Sequence, residues 1–448
     1  MYILGQILFA GILLFTSFIL YKRIKFIAFT IGLGKGMKID GDTKERWKNV
    51  FLIAFGQRKM FRKPIPAFLH LLIYGGFIII NFEVLEFIID GLTGQHRFFA
   101  NLLQDLSPTD TGYNVVYNVL MNGFEILTLG VIIACIIFLI RRNILKIKRF
   151  SGIEMTPWPL LDANLILIFE IILMTAILSM NGADQVLQSA GSPGYIHTGT
   201  LYISHAMIIP IIKNLDTGHL IIVERVCWWF HIIGIFAFAV YVTYSKHLHI
   251  IMAFPNTYYA NLNPPAIMTN MEEVMNEVKM MLGLQQPNGD VPAEIDRFGV
   301  KDATDLTWKS IMDAFTCTEC GRCTSVCPAN LTGKKLSPRK IIMDVRDRAE
   351  ILGKSGGKDG GRSLFDHISK EEIFACTTCN ACIDICPVNI DPVTVILGLR
   401  RYIAMEESSS PVDWNMMFNN IETNFAPWKF PASDRFKWAE SLMLNKKK

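Results

Sequence analysis

The sequence predicts an all-α protein in two parts, a bundle of five membrane-spanning helices and then a polar helical domain. Three observations carry this. Hydrophobic residues make up 51% of the 448-residue chain and charged residues 19%, yet the long apolar runs are confined to the first 250 positions. The polar remainder holds eight of the ten cysteines, in two sets of matching spacing. Each set is followed by a helix-start signal, Ser337-Pro338 or Asp391-Pro392, in which a capping oxygen precedes a proline whose ring presets the first turn.

Five runs meet the requirement of roughly 20 apolar residues for about 30 Å of hydrocarbon. They cover about 3–21, 64–89, 120–140, 159–180 and 225–246. The stretch 199–213 is shorter and interrupted by Pro210, and reads as an interfacial or partly buried helix. The first run has no basic segment before it and no small-residue cleavage site, and Lys22, Arg23 and Lys25 follow it. It reads as an uncleaved anchor rather than a signal peptide. Cys135 and Cys227 lie in or beside spans and read as packing residues.

Loop charge sets the expected orientation. The loop 22–63 carries twelve Lys or Arg against three acids, and 141–158 carries five against one. The loops 90–119 and 181–224 carry one basic residue each. A multi-pass protein of the inner (cytoplasmic) membrane is expected, with its N-terminus outside and everything after about residue 246 in the cytoplasm.

The two cysteine sets are "CTECGRCTSVCP", with Cys317, Cys320, Cys323 and Cys327, and "CTTCNACIDICP", with Cys376, Cys379, Cys382 and Cys386. Two-residue gaps let one loop wrap three thiolates around the corners of a cubane. The fourth cysteine, followed by proline, reaches the cluster of the other set. The spacing therefore assigns one [4Fe–4S] cluster to Cys317, Cys320, Cys323 and Cys386, and a second to Cys376, Cys379, Cys382 and Cys327. Zinc sites use pairs of ligands rather than a triplet plus one, and disulfides do not suit a cytoplasmic segment. "CPANL" and "CPVNI" echo each other 59 residues apart, which marks an internal duplication. The glycine-rich "GKSGGKDGGR" between them reads as a flexible surface loop.

With these motifs the segment 311–405 resembles the α-helical ferredoxin domain of succinate dehydrogenase iron–sulfur subunits and of the heterodisulfide reductase family. The organisation expected is 1–254 membrane domain, 255–310 linker and helix, 311–405 helical dicluster ferredoxin domain and 406–448 C-terminal extension. Within 255–310, "MEEVMNEVKMMLGL" has helical spacing and "QQPNGDVPAEIDRFG" reads as a linker.

Three histidines flank the fifth run, His231 at one edge and His247 and His249 at the other. On a continuous helix of 3.6 residues per turn, His231 and His249 share a face and His247 points about 160° away. His247 reads as an interfacial residue. His70 lies at the cytoplasmic end of the second run, level with His249, and ionisable groups within spans mark function. Gly75, Gly76 and Gly234 are small enough to admit a flat macrocycle.

Five spans, an outside N-terminus and histidines 18 apart in the fifth span look like the cytochrome b subunit of respiratory nitrate reductase. That resemblance implies b haem, with His70 and His249 holding one on the cytoplasmic side. An outer haem would use His231, but positions ten and eleven past His70 are Ile80 and Asn81. His205, and after it His197, are the alternative partners for His231, so one haem or two remain open. The fusion as a whole resembles membrane-bound electron-transfer proteins related to heterodisulfide reductase.

The expected function is a membrane electron-transfer subunit carrying electrons between the quinone pool and a cytoplasmic redox partner. The resemblance suggests an electron-transferring flavoprotein or a cysteine-rich heterodisulfide-reductase-like subunit as that partner. Glu83, Glu86, Glu125 and Glu170 are candidates for handling quinol protons. The chain lacks G-x-G-x-x-G, so no flavin or nicotinamide site is evident; no hydrolytic constellation or nucleic-acid partner is indicated. The competing expectation is a haem-free anchor that tethers a dicluster ferredoxin.

Overall fold

The computed structural model describes residues 3–39, 41–106, 114–150, 152–155, 157–264, 267–284 and 297–444. Most of the expected linker, 285–296, and residues 445–448 at the terminus lie outside them. Among the described residues the chain is helical, and its one β feature is an isolated bridge between Lys35 and Thr307.

Five helices are long and apolar enough to cross a membrane: Ile3–Gly32, Pro64–Thr93, Val115–Ile144, Trp158–Ser189 and Thr217–Val242. They sit on the expected apolar runs but not on the same boundaries. The first helix runs on through the basic cluster that ends its apolar run, as far as Gly32. There its partners are polar rather than lipid: Arg23 donates to Glu350 Oε1 at 3.0 Å and to the Thr243 carbonyl at 3.2 Å. Thr30 lies so close to Gly353 that a Cβ there would meet its hydroxyl at 2.2 Å. Charge ends a membrane run; it does not end a helix.

The fifth span starts earlier than expected. Asp216 caps it by accepting from the N–H groups of Gly218 and His219, and it ends at Val242. Ser245 then caps a 3-10 turn, Lys246–Leu248, that leads into a separate helix, His249–Tyr258. His231 and His249 therefore lie on different helices, which overturns the argument from one continuous helical face. The break is held by Asp162 of the fourth span, whose carboxylate accepts from Tyr241 Oη at 2.6 Å and Ser245 Oγ at 2.8 Å. The stretch 199–213 forms two short helices, Tyr202–Met207 and Ile209–Ile212, with Pro210 in the second.

The polar half has its own core, including Ile341, Val345, Val395, Leu399 and Ile403, all fully buried or nearly so. Two helices organise it. Pro338–Lys354 is capped by Ser337, which accepts from Lys340 N–H, and Pro392–Met405 by Asp391, which accepts from Val393 and Thr394 N–H. The helices Glu272–Met281 and Val412–Asn424 flank this half in sequence.

Candidate functional site

The two cysteine loops repeat in backbone as well as in sequence. Glu319 and Gly321 have positive φ, as do Thr378 and Asn380, 59 positions on. This left-handed bend is uncommon for residues with a side chain. It turns backbone N–H groups onto sulfur: Glu319 N–H donates to Cys317 Sγ at 3.4 Å and Thr378 N–H to Cys376 Sγ at 3.4 Å. Ile390 N–H donates to Cys386 Sγ at 3.3 Å.

One cavity is lined by Cys317, Cys320, Cys323 and Cys386, and also by Cys382 of the second loop, with Pro387 and Ile342. Cys327 stands close enough to Cys376 and Cys382 to act on both thiols, and Cys323 packs against Cys382 where the two sites adjoin. Burial pushes the Cys317 thiol up to about 12 and Cys386 to about 11. Neither ionises unaided at neutral pH, so a thiolate here requires a bound cation to stabilise it. Among the described residues no three His, Cys, Asp or Glu side chains converge on one metal ion. The donor sets fit a cluster that presents a separate iron to each thiolate.

The histidines form a second constellation. The His70 and His249 rings face each other with centroids 6.4 Å apart and planes inclined by 40°. With imidazole–metal bonds of about 2 Å, two rings at this separation would be able to hold one metal ion between them. Both rings lie deep in the protein yet keep accessible surface, as groups bordering an internal gap do. His249 Nδ1 donates to the Lys246 carbonyl at 3.0 Å, and His70 Nδ1 meets Gln57 Oε1 at 3.1 Å. The Lys246 carbonyl only accepts, so His249 Nδ1 carries the proton and its Nε2 keeps its lone pair free for a metal, while the Gln57 side-chain amide anchors the His70 ring. Burial also holds His249 below its ordinary pKa, in the neutral ligand form. His247 lies beside them, its centroid 5.6 Å from that of His249.

On the same face of the second span a cavity of about 650 Å³ opens, lined by Ile73, Gly76, Phe77, Leu248 and Ile250 among other apolar groups, with Glu170 as its carboxylate. A Cβ at Gly76 would strike Val131 at 2.5 Å, and one at Gly234 would strike Leu173 at 2.5 Å. These two glycines serve close helix packing. Gly75 has open space beside it.

His231 is fully buried, its Nδ1 donating to the Leu173 carbonyl at 3.0 Å, and its Nε2 has no hydrogen-bond partner. Phe87 stands edge-on to it at 5.6 Å. His205 is exposed on the short helix Tyr202–Met207, which packs on the third and fourth spans. The structure does not bring His205 and His231 together.

The span carboxylates divide. Glu86 accepts from Tyr117 Oη and Phe99 N–H, both at 2.8 Å, and Glu125 from Ile203 N–H at 3.0 Å and Ser204 N–H at 3.1 Å. Glu83 pairs with Arg97 at 3.6 Å, and Arg97 also binds Asp184 and Asn181. These groups lock the ends of the spans to the loops, and Arg97 was not foreseen from sequence.

Also unforeseen were Gln57, Lys246, Glu319 and Arg322. The last two could have been noticed, because they are charges inside a cysteine loop whose second copy has Thr378 and Ala381 instead. Arg322 directs its guanidinium to the Lys59 and Met60 carbonyls, 3.4 Å from each. Lys246 pairs with Glu319 at 2.6 Å, and Arg339 with Glu154 at 2.7 Å. These contacts seat the first cysteine loop on the histidine end of the bundle.

The profile of a 4Fe-4S dicluster domain matches residues 316–390. Over 92% of its length the chain is 27% identical to a probable iron-sulfur-binding oxidoreductase, FadF, of Bacillus subtilis, covering 57% of that protein. Over 87% it is 25% identical to an EtfAB:quinone oxidoreductase of Syntrophomonas wolfei, covering 53% of it. A probable membrane-anchored ferredoxin of Chromohalobacter salexigens is 29% identical over 33% of the chain and 25% of its own length. The chain thus spans little more than half of the first two relatives. No solved structure matches it significantly. The chain is helical among its described residues, carries five helices able to cross a membrane and a dicluster iron–sulfur domain, and its relatives are named as oxidoreductases and a membrane-anchored ferredoxin.

Proposed function

We propose that the chain is a membrane electron-transfer subunit that moves electrons between the quinone pool and a cytoplasmic redox partner, through b haem and two [4Fe–4S] clusters. The observation that carries the haem is the His70–His249 pair, with Nδ1 of both rings anchored and the His249 Nε2 left free. The apolar cavity farther along the same face of the second span is lined by Leu248 and Ile250 beside His249, though by neither histidine, and the resemblance to the nitrate-reductase cytochrome b subunit supports the same reading. The haem iron would supply one-electron chemistry. The protein's part is to hold both rings, set their tautomers and exclude water. Among the described residues the ring packed on His231 is Phe87 rather than a second histidine, which favours one haem over two.

Cys317, Cys320, Cys323 and Cys386 hold the first cluster, and Cys376, Cys379, Cys382 and Cys327 the second. The first lies against the histidine end of the bundle. The second carries the exposed Cys379, so electrons exchange with the partner there. The name of the Syntrophomonas relative supports quinone as the membrane substrate and an electron-transferring flavoprotein as the partner. A cysteine-rich heterodisulfide-reductase-like subunit is the other partner of suitable chemistry. Loop charge supports an outside N-terminus in the inner membrane and a cytoplasmic dicluster domain.

The test is a dithionite-reduced spectrum of the purified chain with iron and sulfide analysis. Sharp b-type bands at one haem per chain, with about eight non-haem irons, are expected. Clusters without haem bands would leave the haem-free anchor.

A further inference from the structure

We infer that Lys246 and Glu319 form a bonded link between the haem-binding His249 and the first cluster, and that this ion pair sets the potentials of both centres. The inference rests on the haem and cluster assignment above and adds two positioning residues to it.

The link is continuous. The Lys246 carbonyl accepts from His249 Nδ1 at 3.0 Å. The Lys246 ammonium donates to Glu319 Oε2 at 2.6 Å. Glu319 N–H donates to Cys317 Sγ at 3.4 Å. Two residues thus join the imidazole on one side to the thiolate on the other.

Both side chains are buried, Lys246 at 7% and Glu319 at 4% exposure. A buried ion pair is weak evidence of stabilisation, because its desolvation cost rivals its attraction. The pair therefore calls for another reason. The chain contains its own control. At the position equivalent to Glu319 the second loop has Thr378, and its N–H reaches Cys376 Sγ at the same 3.4 Å. The loop fold does not require the carboxylate. Nor does docking of the two halves depend on this pair, since Arg339–Glu154 and Arg23–Glu350 also bridge them. What distinguishes Glu319 and Lys246 is that they lie between the two sites, where low dielectric makes each charge felt. Arg346 also pairs with Glu319 at 2.8 Å, and Asp162 lies 3.8 Å from Lys246, so removing one member leaves the other partly compensated rather than stranded.

The step served is transfer of one electron between the haem iron and the first cluster. One centre is oxidised by one electron as the other is reduced by one; no bond breaks and no proton moves.

The test is redox titration of the full chain in detergent, following haem by absorbance and each cluster by EPR. Lys246→Met keeps the backbone carbonyl but removes a positive charge, so the midpoint potentials of haem and first cluster should both fall. Glu319→Gln removes a negative charge, so both should rise. The second cluster should move less in each, and Lys246→Arg should stay near wild type. In the double variant the potentials should return toward wild type, while haem–cluster electron exchange stays severalfold slower because the bonded path is gone. A purely structural pair gives shifts of one sign in both single variants, or none, and either result overturns the inference. If Lys246→Met does not fold, the sign of the Glu319→Gln shift against Lys246→Arg decides. Absence of haem or clusters from the wild-type protein would instead overturn the underlying assignment.

Discussion

The two cysteine loops are copies of one motif placed in different surroundings. Both need a left-handed residue after the second cysteine, Gly321 in the first and Asn380 in the second. Asparagine tolerates that conformation well, so conformation alone does not explain the glycine. A Cβ on Gly321 would sit 2.9 Å from the Arg149 carbonyl and 2.5 Å from Arg339. The first loop lies flush against the bundle, and only glycine fits. Arg322 and Glu319 in that loop are buried against bundle residues, whereas Cys379 in the second is exposed. The duplication supplies two matching cysteine loops: the first is buried against the membrane half through Glu319 and Arg322, whereas the second meets it through the half-exposed Arg62–Asp384 pair.

The strongest way to break this comparison is to exchange the fourth ligands. Cys386→Ser should remove the first loop's cluster and Cys327→Ser the second's, each with loss of about four irons of about eight. Low-temperature EPR identifies which signal disappears. If each loop loses its own cluster instead, the ligands are not crossed.

The histidines come next. His70→Ala and His249→Ala should each abolish the same haem absorbance, while His247→Ala should retain it. Haem per protein by pyridine haemochrome measures this, and the reverse pattern for His247 and His249 would reassign the ligand.

A smaller effect sharpens the contrast between the loops. Gly321→Asn should cost about 1–3 kcal/mol, the usual range for overpacking, and should disturb the first cluster's EPR signal. Asn380→Gly should cost a few tenths of a kcal/mol, since both residues adopt positive φ. Denaturant unfolding of the two variants compares them, and equal costs would mean that the bundle does not constrain the first loop. Smallest should be Arg62→Ala. It removes a half-exposed pair with Asp384, at 2.6 Å, and exposed pairs contribute about 0–1 kcal/mol. Both clusters and the haem should survive it.

How much of this was legible beforehand follows from the range of the interactions. The dicluster domain was readable because three cysteines lie within seven residues and the next loop repeats them. The spans were readable as apolar runs, since hydrocarbon selects composition over some twenty residues at once. Their ends were not. The first helix continues because Glu350 and Gly353, more than 300 positions away, give it something to pack on.

The sequence by itself determined the five long apolar helices, the dicluster domain with its two cysteine loops and the capped helices that follow them, because each depends on residues close together along the chain. The facing of His70 and His249 was expected from one continuous helix, and there the reasoning failed. Asp162 of the fourth span holds Ser245 and breaks the fifth helix before His249. Only the tertiary structure decided that the ring faces His70 from a separate helix, that His205 stays exposed away from His231, and that Lys246 meets Glu319. Each is a contact between segments distant in sequence, governed by packing geometry that no local spacing encodes.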